Sequence, residues 1–96
     1  PESAWLSPSF GRSSVYIGVP LYALDDRSYC RRVFFQLHKI FLKYGGRPHW
    51  GKVNFLDHVM LLKTFQQFEE FCDLRLRMDP NGLFLHEYKR SLFGVK

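Results

Sequence analysis

Six consecutive residues, Arg47-Pro48-His49-Trp50-Gly51-Lys52, gather two cations, an imidazole and an indole into one short stretch. Gly45 and Gly46 before it, Gly51 within it and the proline rule out a helix, so it reads as a loop or short extended run. Arg47 has the planar fork to meet a phosphate or carboxylate, but a solvated guanidinium is the expectation. A lone loop histidine is more often a hydrogen-bonded structural group than a catalyst, and the expected task of Trp50 is packing. Elsewhere the chemistry-bearing residues are dispersed. His38, His49, His58 and His86 with Cys30 and Cys72 hold no pair at the spacing of a zinc knuckle or a helical His-x-x-x-His, so no metal is expected. Both cysteines fall in helical patterns and lack the dense spacing of a disulfide scaffold; they are expected free and packed rather than nucleophilic.

The elements that must position the loop follow from periodicity and punctuation. Leu6 to Arg12 reads as a turn, and Ser14-Val15-Tyr16-Ile17-Gly18-Val19 is β-branched and aromatic, which predicts a strand. Pro20 cannot donate to a ladder, so this is an edge strand, a strand end or a bulge. Tyr29, Val33, Leu37, Ile40, Phe41 and Tyr44 recur at helical spacing between Asp25 and Tyr44. Asp25, Asp26 and Ser28 are its N-cap candidates, and Gly45-Gly46 its left-handed stop. A second helical stretch begins near Asp57. Thr64 with Gln67 has the form of a capping box, which divides that stretch in two, and the face after it is Phe65, Phe68, Cys72 and Leu76. Asp79-Pro80-Asn81-Gly82 predicts a turn. A last short helix over Leu85 to Phe93 is expected to turn Leu85, Tyr88, Leu92 and Phe93 inward.

At 96 residues the chain has room for one small domain. Its 46% hydrophobic and 18% aromatic content, with ten Phe, excludes a disordered tail. Pro1 stands where a Met is usual and Trp5-Leu6 precedes any structured run, so the chain is expected to be a piece of a longer one with faces covered by the rest. Net charge is +5, but the cations are spread and mixed with Glu69, Glu70, Asp73 and Asp79, which suits solvated faces. A small basic helical module binding nucleic acid is the alternative in another class. It requires a charge stripe on one face and affinity that falls steeply with salt. No run approaches the roughly 18 apolar residues of a membrane span.

Three segments in fixed order carry a resemblance: Leu6-Ser7-Pro8-Ser9-Phe10-Gly11-Arg12, Arg47-Pro48-His49-Trp50-Gly51-Lys52, and Met78-Asp79-Pro80-Asn81-Gly82-Leu83-Phe84-Leu85. Together they resemble the C-terminal end of the aldonolactone oxidase and alditol oxidase family, flavoproteins of the vanillyl-alcohol oxidase superfamily. The match covers nearly the whole chain, with Phe68 to Arg75 similar to the family's final long helix. A bare Asp-Pro-x-Gly turn is common; order and spacing carry the likeness.

The resemblance implies an α+β fragment of a two-domain FAD-linked oxidase. Residues 1–96 then form the C-terminal segment of the substrate (cap) domain: edge strand or strands of its antiparallel sheet, three or four helices, the flavin-contacting loop 47–52, and terminal helices returning to an N-terminal FAD-binding domain. It implies FAD as cofactor, most of whose site lies outside the chain, and a sugar lactone or polyol as substrate, without nucleic acid or metal. Lys52 falls on the family's lysine beside N1 and C2=O of the flavin, and it is the catalytic and cofactor-binding residue so implied; His49 and Trp50 are further cofactor contacts. A fixed cation there stabilises the charge that a transferred hydride leaves on the ring. Gly18 and Pro20 stand about where alditol oxidases carry His and Thr, which favours a lactone over an alditol. His86 replaces an Asn suited to capping the last helix. The fragment alone is expected to be inactive.

Overall fold

The computed structural model describes residues 1–21 and 26–96. Its regular elements are four helices: α1 (Arg27–Lys43), α2 (His58–Thr64), α3 (Phe68–Met78) and α4 (Glu87–Leu92).

Local chemistry sets most of their ends. The Asp26 carboxylate accepts from the Tyr29 N–H at 2.9 Å and so caps α1. Asp25, the neighbouring candidate, lies outside the described residues. Gly45, at φ +73°, turns the chain out of α1, a left-handed conformation that a Cβ disfavours. Asp57 caps α2 through the Met60 N–H at 2.8 Å. The predicted capping box does not form: Thr64 is the last residue of α2, and Gln67 stands at the N-cap of α3 without a side-chain bond. Phe65 and Phe68, 1% and 0% exposed, flank the break and both turn into the core.

That core is Leu56, Leu61, Phe65, Phe68 and Leu92, with α2 packed on both α3 and α4. Burying each of its larger side chains contributes about 1.5–3 kcal/mol. Leu42, Leu6, Trp50, Cys72 and Phe93 close over it. His58 ties α2 to the last helix, its Nδ1 2.9 Å from the Leu92 carbonyl; in the neutral ring this places the proton on Nδ1. Both cysteines are free, and burial raises the Cys72 thiol above its ordinary range, which leaves little thiolate for attack.

Several predicted inward positions face out. Tyr29 and Ile40 on α1, Tyr44 at its C-cap and Tyr88 on α4 are at least half exposed, whereas His38 on α1 is buried. Ser13 to Leu21 forms neither helix nor ladder, and Val15 is 88% exposed. One isolated bridge, Glu2 to Phe10, is the β pairing among the described residues. The principal extents are 43 × 31 × 18 Å, and large apolar side chains such as Val15, Tyr44, Leu83 and Phe84 stay exposed.

Candidate functional site

The loop between α1 and α2 is held by its first and fourth residues. Arg47 is not solvated, contrary to the sequence expectation. Its Nε donates to the Thr64 carbonyl at 3.1 Å, and its Nη1 to those of Phe10 at 2.9 Å and Pro8 at 3.3 Å. The guanidinium also lies 5.4 Å from the centre of the Phe65 ring. Burial and the nearby Arg12 charge both lower its pKa. Trp50 donates its indole N–H to the Leu6 carbonyl at 2.7 Å and packs 5.2 Å from Phe65. Arg12 donates to the Gly45 carbonyl at 2.7 Å. The turn Leu6 to Arg12 and the loop Arg47 to Lys52 are thus one hydrogen-bonded unit, which gives a physical reason for the two motifs to occur together.

With those anchors set, the remaining loop residues make a tight turn. The Lys52 N–H donates to the His49 carbonyl at 3.1 Å, and the Gly51 N–H to His49 Nδ1 at 2.9 Å. A ring nitrogen that accepts cannot carry a hydrogen, so neutral His49 holds its proton on Nε2 and presents a donor there. Asn54 then braces the exit: its Nδ2 donates to the Lys52 carbonyl at 3.1 Å, while its Oδ1 accepts from the Leu56 N–H at 3.4 Å. No sequence signal beyond an amide two residues after Lys52 marked that brace.

His49 and Lys52, both exposed, line an open groove of about 600 Å³ between the Ser14–Pro20 stretch and α1. Its walls are mainly apolar, including Val15, Ile17, Phe34, Leu37 and Phe41. Arg12, His38, Arg47, His49 and Lys52 are its basic residues among those described, and no carboxylate lines it. The carbonyls above engage Arg12 and Arg47, which leaves Lys52 and the His49 Nε2 as exposed donors on the groove. His38 is 9% exposed; its ring meets Phe55 edge-on at 5.6 Å, its Nε2 is buried without a partner, and burial holds its pKa below the ordinary value. The structure therefore brings Lys52 and His49 to one surface and turns Trp50 away into the core. Apolar walls with cationic and N–H donors and no carboxylate suit an apolar ligand that carries acceptors on its edge.

Comparison with known proteins gives the class first. Residues 1–92 match the D-arabinono-1,4-lactone oxidase family. The chain is 37% identical over 95 residues to an L-gulono-1,4-lactone dehydrogenase of Mycobacterium tuberculosis, covering 98% of this chain and 21% of that protein. An L-gulonolactone oxidase of Mus musculus is 35% identical over 89 residues, 92% and 20% of the two chains. An alditol oxidase of a Streptomyces species is 29% identical over 92 residues, 96% and 22%. No solved structure matches significantly. The chain belongs to the D-arabinono-1,4-lactone oxidase family, and it spans about a fifth of the length of the curated relatives it matches.

Proposed function

We propose that this chain supplies the cation side of the flavin site in an FAD-dependent oxidoreductase acting on a sugar-derived lactone at a CH–OH group. The observation that carries the reading is the placement of Lys52 and His49 on an acid-free, apolar-walled groove by a turn anchored through Arg47 and Trp50. Bound against this groove, FAD would supply the hydride acceptor, with oxygen or another acceptor taking up the electrons. Lys52 holds a positive charge where that transfer leaves negative charge, and the low-dielectric walls strengthen the interaction. His49 adds a fixed Nε2 donor, and Asn54 keeps the Lys52 backbone from drifting. In the same reading Ser14 to Val19 is an edge strand of the substrate domain's sheet, whose neighbours lie outside these 96 residues. The relatives named for gulonolactone and gulono-1,4-lactone favour a lactone as substrate.

The test is Lys52→Ala in the full-length polypeptide. Loss of one preorganised electrostatic partner costs about 3 kcal/mol of barrier, so single-turnover flavin reduction slows about a hundredfold. Substrate binding changes far less. Unchanged reduction removes Lys52 from the role.

A further inference from the structure

The turn that presents Lys52 is closed by a bond that only a neutral imidazole can make. His49 Nδ1 accepts from the Gly51 N–H at 2.9 Å, while the His49 carbonyl accepts from the Lys52 N–H at 3.1 Å. The ring folds back closely onto its own loop: a Cβ on residue 51 would stand 3.2 Å from His49 Cε1 and 3.5 Å from Nδ1. Glycine leaves room for that approach. A protonated imidazole carries a hydrogen on each nitrogen and has no acceptor left. Protonation and the Gly51 bond therefore exclude one another, because Nδ1–H would point at the Gly51 N–H. His49 is exposed, so solvent protons reach it; burial instead disfavours a charge on His38.

We propose that His49 is a pH-sensitive positioning residue for Lys52. The neutral ring closes the turn; proton uptake in the imidazole range, between about pH 5 and 8, releases the ring from Gly51 and loosens the segment that carries Lys52. Nothing on the groove offsets the added charge. The other titratable or charged groups that line it are Arg12 from the preceding turn, Tyr16 from the Ser14–Pro20 stretch, His38 from α1, and Arg47 and Lys52 from the loop itself, with no carboxylate among them. The remaining ties on the loop are made by Arg47, Trp50 and Asn54, none of which titrates in that range, so the switch acts on the turn between them. Its consequence for catalysis rests on the flavin role of Lys52; the switch itself does not.

NMR of the full-length polypeptide, isotopically labelled at histidine and glycine, tests this directly. Above the imidazole range the His49 ring is expected as the Nε2–H tautomer; the Nδ1–H tautomer overturns the proposal. As pH falls through that range, the Gly51 amide signal should move with the His49 ring, and its protection from exchange should drop about fivefold, the worth of one hydrogen bond. A Gly51 amide indifferent to the ring overturns the switch. Asparagine at this position can accept from the N–H two residues on without titrating, so in His49→Asn the Gly51 amide should stay protected throughout, whereas in His49→Ala it should be unprotected throughout. A Gly51 titration that persists in His49→Asn overturns the assignment to His49. Single-turnover flavin reduction, with each protein normalised to its own rate at the alkaline end, reads the coupling to Lys52. The parent should slow toward acid pH and His49→Asn should lose that limb; a limb of equal size in both, or a parent that speeds up, overturns the positioning role. The tautomer and amide readings need no turnover, so they and the role of Lys52 fail separately.

Discussion

Replacing Arg47 with alanine tests the claim that the flavin-side loop is positioned from the core outward. One guanidinium joins three carbonyls that are far apart in sequence: Pro8, Phe10 and Thr64. Hydrogen bonds from a charged donor contribute about 1.5–3 kcal/mol each, but Arg47 is half-buried and the freed carbonyls regain some water. The expected net loss is about 3 kcal/mol, including the smaller contribution of the cation over Phe65. In a domain of this size that lowers Tm by roughly 12–24 °C. Thermal and urea unfolding, followed by circular dichroism and by Trp50 fluorescence, measures it, because Trp50 sits in the same knot. Arg47→Lys separates charge from shape. Lysine keeps the cation but has no fork to span the carbonyls, so it should recover less than half of the loss. An Arg47→Ala variant within about 0.5 kcal/mol of the parent, or an Arg47→Lys variant equal to it, would refute the argument.

Four further outcomes are expected. His38→Leu should be neutral or stabilising by up to about 1 kcal/mol in urea titration, since it removes a buried nitrogen with no partner and keeps an apolar side chain against Phe55; a loss larger than that would mean Nε2 is bonded in solution. Because burial lowers the His38 pKa, the unfolded chain takes up the proton first, so its contribution is complete above about pH 6.5 and is lost as pH falls below that value; His38→Leu should flatten that limb of the stability curve. Asp79 accepts from the backbone of Phe84 and Leu83, which lowers its pKa, so its contribution is present above the ordinary carboxylate range and is lost only as pH drops through the lowered value, as NMR titration of its carboxyl would show. His86 occupies the N-cap of α4 in extended backbone without a side-chain bond, so His86→Asn should raise stability by about 1 kcal/mol; no gain in unfolding experiments would show that the α4 N-terminus is already satisfied.

Local rules made much of the fold legible. The helical spacing from Tyr29 onward, an aspartate ahead of it and paired glycines after it are enough to specify α1, because cap and stop act within one turn of the chain. Thr64 and Gln67 show where such rules end. Their spacing fits a capping box, yet Thr64 closes α2 and Gln67 stands at the N-cap of α3 without a side-chain bond, so the pair marks the break without making the cap. Tyr29, Ile40, Tyr44 and Tyr88 were legible as apolar positions but not as exposed ones, because periodicity reports a face and not what covers it. The same holds for Ser14 to Val19: composition favours a strand, whereas a ladder needs a second strand.

At the site the division is sharper. His49 and Lys52 could be singled out by residue type and by family likeness, but what fixes them is a set of bonds to main-chain carbonyls, and any residue can offer a carbonyl. That is why Arg47 reads as solvated from sequence and stands in the structure as the residue on which the loop depends. It also bears on how the site tolerates change. Replacing Pro8 or Phe10 alters a side chain and leaves its carbonyl in place, so the Arg47 bonds survive wherever the turn keeps its path. Replacing Arg47 removes all of them at once. The loop's geometry is therefore sensitive at its donor side chains, Arg47 and Trp50, and insensitive at the positions that accept from them. A scan of Leu6 to Phe10 should accordingly disturb the Lys52 surface less than the single change at Arg47 does.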